Sequence, residues 1–195
     1  PVDFHRLERV DVYLQANAYV DRQGGETPSF RVGARIVNTV RQENQMEEVV
    51  GPGNASGGQW DSWQAAWGRR GPEGNPVSLF DPVSGAVDRA EAAFYRRRDI
   101  TALLRQNPER FGPLFRQRIR ILCGDMDEFY LDEAVSFLKV TLDALDPVPR
   151  PTWGSIRILP GVGHGSITRT PETLRFEAEA AAHLRDCGLL PESGR

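Results

Sequence analysis

Residues 118–124 and 155–159 read RIRILCG and SIRIL, and between them residues 131–145 read LDEAVSFLKVTLDAL. In the first run Ile119 and Ile121 alternate with Arg120, the period of two that marks a strand, and Gly124 ends it. The second run predicts another strand of the same kind. The stretch between them places Ala134, Leu138, Leu142 and Leu145 on one helical face. Residues 171–186 predict a last helix, with Pro171 and Glu172 suited to its first turn and Leu174, Ala178, Ala181 and Leu184 as its apolar stripe. Strand, helix, strand, helix dictates a right-handed crossover and a parallel sheet with helices outside it, so the fold class is α/β.

Upstream, AVDRAEAAFYRRR at 86–98 sets Val87, Ala90 and Phe94 at helical spacing, and ITALLRQNPERFGPLF at 100–115 predicts one or two further short helices. Residues 1–85 have a different texture. Residues 21–30 and 51–85 are rich in Gly, Pro, Asn and Ser and read as long loops. Residues 40–50 predict a helix, with Asn38 as a possible cap and Gly51 just past its end, although the preceding RIVNTV equally suits a strand. The chain thus divides into a loop-rich, cap-like insertion over 1–85 and strand-helix units over 86–195. Two strands do not make a parallel sheet, which needs both faces covered. Nothing before residue 118 reads as the buried strands that would complete one. The expectation is the C-terminal part of a larger α/β domain, completed by sequence upstream of Pro1.

Composition narrows the function. The 195 residues are 39% hydrophobic and 26% charged, enough for a packed core. A net charge of −3 offers no basic excess for nucleic acid or an anionic surface. No apolar run is long enough for a membrane span, and the first twenty residues carry charges throughout. Cys123 and Cys187 have neither metal-ligand spacing nor the density of a disulfide framework, and Cys123 lies in an apolar run that makes it a core residue.

Functional groups in open parallel sheets gather in the loops beyond the carboxyl ends of the strands. Two such loops are visible, CGDMDEFY after the first strand and PGVGHGS after the second. Gly161, Gly163 and Gly165 surround His164 with residues that lack a Cβ, which suits a reactive histidine and equally suits an ordinary strand-to-helix turn. Strands about 4.8 Å apart would bring Asp127 within reach of His164. Asp125 is the rival acid, but it lies closer to the strand end. The acidic stretch that includes Asp127, Glu128, Asp132 and Glu133 also suits a solvated helix start. A calcium loop does not fit, because Tyr130 stands where the sharp turn needs glycine, and no metal or cofactor is called for.

An acid after one strand and a histidine after the next match the last two members of a Ser-Asp-His triad in chain order. On Gly124-Asp125-Met126-Asp127, Gly163-His164 and their spacing, residues 87–186 resemble the end of an α/β-hydrolase-fold esterase. The Gly/Trp-rich stretch VRQENQMEEVVGPGNASGGQWDSW is similar to an insertion carried by a group of large bacterial esterases. The resemblance implies a carboxylic ester hydrolase acting on a small-molecule ester, with Asp127 orienting His164 and His164 as general base. G-x-S-x-G is absent. NASGG at 54–58 is the nearest approach, with Asn54 where the first glycine should be, so Ser56 is a poor nucleophile and the serine is expected upstream of Pro1. Trp60, Trp63 and Trp67 have helical spacing and read as core packing, with Trp60 and Trp63 otherwise a substrate-facing aromatic wall. The competing reading is a non-catalytic binding module that uses the Gly/Trp-rich region.

Overall fold

A computed structural model describes residue 4 and residues 9–145 and 153–191 of the chain. The loop-rich half contains more regular structure than its composition predicts. Strands β1 (Pro28–Val32) and β2 (Arg35–Thr39) form an antiparallel hairpin. Gly33 makes the reversal in the left-handed conformation, which a two-residue hairpin loop favours glycine to supply. β1 lies partly inside a stretch that reads as loop, because its pairing is irregular and it lacks the alternation that marks longer strands.

Helix α1 (Val40–Val50) follows β2 directly, so both readings of RIVNTV are realised, one after the other. Its cap is Thr39 rather than Asn38. The Thr39 hydroxyl accepts from Gln42 N–H while the Gln42 side chain accepts from Thr39 N–H, a reciprocal box that Asn38 cannot make from within the strand. Gly51 ends the helix as its position predicts. Helix α2 (Gln59–Trp67) sits inside the other predicted loop and bears the three tryptophans. Helices α3 (Arg89–Tyr95) and α4 (Ile100–Gln106) are capped by Asp88 and Asp99, and α5 (Pro108–Arg118) opens on a proline.

Strands β3 (Arg120–Gly124) and β4 (Ser155–Leu159) flank helix α6 (Leu131–Leu145) and pair in parallel, in register from Arg120–Ser155 to Gly124–Leu159. Helix α7 (Pro171–Asp186) closes the order, with Thr170 as its cap. The molecule is therefore mixed α/β, with one antiparallel and one parallel pair of strands among the described residues.

Two cores hold these elements. In the first, Phe4, Tyr19, Trp60, Phe80 and Tyr95 pack with smaller apolar side chains. It draws on residues either side of 86, so the change of texture there is not a boundary in the packing. The second gathers Leu104, Phe115, Val135, Leu138, Leu142 and Ile156 around β3 and β4. One face of the parallel pair is covered by α6. The stripe on α7 does not cover the other: Leu174 is 61% exposed and no residue of α7 is buried. The helix is held instead by Arg120 of β3, which pairs with Glu179 and lies over the Phe176 ring.

The first core also encloses carboxyl groups. Glu47 of α1 accepts the Trp60 and Asp61 amides, both at 2.9 Å, and so anchors the start of α2. Burial raises the Glu47 pKa against those two amides, and the neighbouring Asp61 carboxyl raises it further. The folded chain therefore holds this proton more tightly than the unfolded chain does. Its stabilisation is complete below the ordinary glutamate range, about 4.3, and is lost as pH rises through the folded value. Urea unfolding from pH 4 to 8 should show this loss, and Glu47→Gln should flatten that part of the profile. An unchanged slope in the variant would assign the dependence to other groups.

Candidate active site

The parallel pairing brings the two strand-end loops together. The ladder continues past the strands, with Asp125 N–H donating to Leu159 O at 3.1 Å and Met126 N–H to Val162 O at 3.0 Å. A Cβ on Gly124 would fall inside the Val162 carbonyl, so glycine is what permits this approach. Of the three glycines around His164, Gly161 alone is in the left-handed region, with φ +70°. Its N–H donates to Asp125 Oδ1 at 2.7 Å. The rival acid is thus committed to tethering the histidine loop.

Asp127 is 3% exposed and uses its two oxygens differently. Oδ1 accepts from Phe129 N–H at 2.9 Å and from Leu131 N–H, the first residue of α6, at 3.3 Å. Oδ2 lies 2.9 Å from His164 Nδ1. One oxygen of this acid thus serves the helix start and the other faces the histidine. With Oδ2 an acceptor, the geometry assigns the proton of neutral His164 to Nδ1 and leaves the Nε2 lone pair as a base. The ring is held at its edge by Phe129, at 5.1 Å and 85°, and the His164 N–H donates to Glu128. The His164 side chain is 49% exposed while that of Asp127 is 4% exposed. A shielded acid behind an accessible base is the arrangement general-base catalysis needs.

The other candidates lie elsewhere in the bonding pattern. Ser56 donates its hydroxyl to Asp61 at 2.5 Å and accepts from Gly58 N–H, which makes it part of the α2 start. Ser166 bonds to Gly163 through its hydroxyl. Among the described residues no hydroxyl is bonded to His164. Cys123 is no substitute nucleophile, since burial and then the Asp127 and Asp132 carboxylates push its thiol up to about 12. Trp60 is 1% exposed, and Trp63, partly buried, stacks on Tyr95 at 5.1 Å beside the first core, which favours core packing over the aromatic wall for this pair. No group of three or more His, Cys, Asp or Glu side chains is gathered for a metal among the described residues, and no described helix is long and apolar enough to cross a membrane.

Sequence reasoning missed Glu128 and Phe129, which hold the histidine's backbone and ring, and Arg31, which reaches the acid loop from β1. Glu128 and Phe129 adjoin Asp127 and could have been suspected; Arg31 carries no local signal. The chain matches no family model, no curated protein and no solved structure.

Proposed function

We propose that this chain carries the acid and the base of a Ser-Asp-His carboxylic ester hydrolase of the α/β-hydrolase type. The observation that carries the reading is the 2.9 Å contact between Asp127 Oδ2 and His164 Nδ1, made by loops that leave the same end of two adjacent parallel strands. The thinly covered second face of β3 and β4 is consistent with a larger sheet, and the nucleophilic serine belongs to sequence upstream of Pro1.

His164 Nε2 takes the serine proton as the serine oxygen attacks the ester carbonyl, and Asp127 stabilises the resulting imidazolium. The imidazolium then protonates the departing alkoxide. Water repeats the sequence on the acyl-serine, with His164 again the base, and releases the acid.

The test joins the chain to its upstream coding sequence and treats the product with a fluorophosphonate that captures activated serines. One label per protein, on a serine upstream of Pro1 and slowed in His164→Ala, is the expected result. Labelling unaffected by His164→Ala, or none in a protein that folds, would overturn the reading.

A further inference from the structure

Arg31 lies in β1, in the loop-rich half of the chain, and its fork closes on the loop that carries the acid. Its Nε donates to Asp127 O at 2.9 Å, and its Nη2 donates to Asp125 O at 3.0 Å and to Asp132 Oδ1 at 3.2 Å. Its backbone N–H donates to Glu128 O at 3.0 Å. The guanidinium carbon stands 4.5 Å from the centre of the Tyr130 ring. Tyr130 is a buried non-glycine residue at φ +58°, a conformation held only where surrounding contacts over-determine it. One side chain thus meets two carbonyls of the loop, Asp125 O and Asp127 O, the second of which also accepts the Tyr130 N–H at 3.2 Å, and it packs on the strained position beside them.

We infer that Arg31 is a positioning residue: its guanidinium fixes the 125–132 loop in the conformation that presents Asp127 Oδ2 to His164 Nδ1. The inference rests on the reading of Asp127 and His164 as an acid–base pair. It also gives the loop-rich half a role in the chemistry, through the hairpin rather than through its tryptophans. A lysine in place of Arg31 keeps the charge but cannot reach two carbonyls and a carboxylate in one plane.

The test reads the tautomer of His164 by nitrogen-15 NMR in the 195-residue chain, which needs no nucleophile. In the unsubstituted chain the proton of the neutral ring is expected on Nδ1. In Arg31→Met and Arg31→Lys the Nδ1–H signal should weaken and the Nε2–H form, which free histidine prefers, should become the major one. Should Arg31→Met fail to fold, Arg31→Lys decides. Arg120→Met, which removes the pair with Glu179 at the start of β3, is the control. It should lower the melting temperature and leave the tautomer alone. An unchanged tautomer in Arg31→Lys overturns the inference, and so does an equal change in Arg120→Met. In the longer protein Arg31→Lys should lower kcat about 10²-fold with KM little altered, the scale on which misplaced catalytic groups act. A tautomer shift without loss of hydrolysis would leave the positioning intact and defeat the catalytic reading of the pair.

Discussion

Asp127→Asn, in a longer protein that supplies the proposed serine, is expected to lower ester hydrolysis by about four orders of magnitude, the loss seen when a serine protease undergoes the same change. That loss is about 5 kcal/mol of transition-state stabilisation. The direction follows from the bonding of this carboxyl group. Oδ1 accepts the amides of Phe129 and Leu131, so an asparagine must place its carbonyl oxygen there. Its NH2 group then faces His164 Nδ1 and donates to it. The neutral ring must carry its own proton on Nε2, where it cannot accept one from serine. His164→Ala removes the base altogether and should cost a similar factor, with the fold kept because the side chain is half exposed. Asp125→Asn is the informative contrast: the asparagine oxygen can still accept Gly161 N–H, so its effect should be small. Steady-state hydrolysis of a p-nitrophenyl ester by the three variants checks the set. Equal losses from the two aspartates would refute the assignment of Asp127 as the orienting acid.

The legible part of this molecule is the part whose signals are local. Ile119 and Ile121 alternate with Arg120, Leu138 and Leu142 recur at helical spacing, and Pro171 marks a helix start. α6, β4 and α7 appear over the ranges those signals predict, while β3 starts at Arg120, two residues into the run RIRILCG, because α5 continues to Arg118 with Ile119 as its cap. From two parallel strands the meeting of Asp127 with His164 followed, because adjacency in a sheet fixes which loops share an end. The stripe on α7 shows the limit of such reasoning. Leu174 and Leu184 obey the helical period, yet period alone does not say whether a partner surface is present, and here neither is buried. In the first half the signals are long-range. β1 is short and bulged, α2 is surrounded by glycine, and the contact of Arg31 with Asp127 O spans 96 residues of sequence. No periodicity encodes a guanidinium that reaches a carbonyl so distant. The spacing of the tryptophans suits both packing and substrate contact, and only burial separates those alternatives.

Trp60→Ala should destabilise the chain by about 3–5 kcal/mol, the usual cost of emptying a large aromatic site in a core. The indole is 1% exposed, 5.2 Å from the Phe80 ring and 6.0 Å from Trp63, in edge-on contacts that a smaller side chain forfeits. Its Nε1–H also donates to Ser29 Oγ at 3.3 Å, and Ser29 in turn donates to Glu43. Trp60 thereby ties α2 to β1, the strand that delivers Arg31 two residues further on. Losing it removes a large share of a domain's total stability, about 5–15 kcal/mol, and loosens the support beneath the acid loop. Urea unfolding checks this through a lower midpoint at unchanged slope. Trp60→Phe, which keeps most of the ring volume and loses the Ser29 bond, should cost much less. A substrate-facing tryptophan would behave in the opposite way, changing KM for the proposed hydrolysis while leaving the urea midpoint near its original value. A loss below about 1 kcal/mol in Trp60→Ala, typical of surface positions, would therefore reopen the aromatic-wall reading that the burial of this indole argues against.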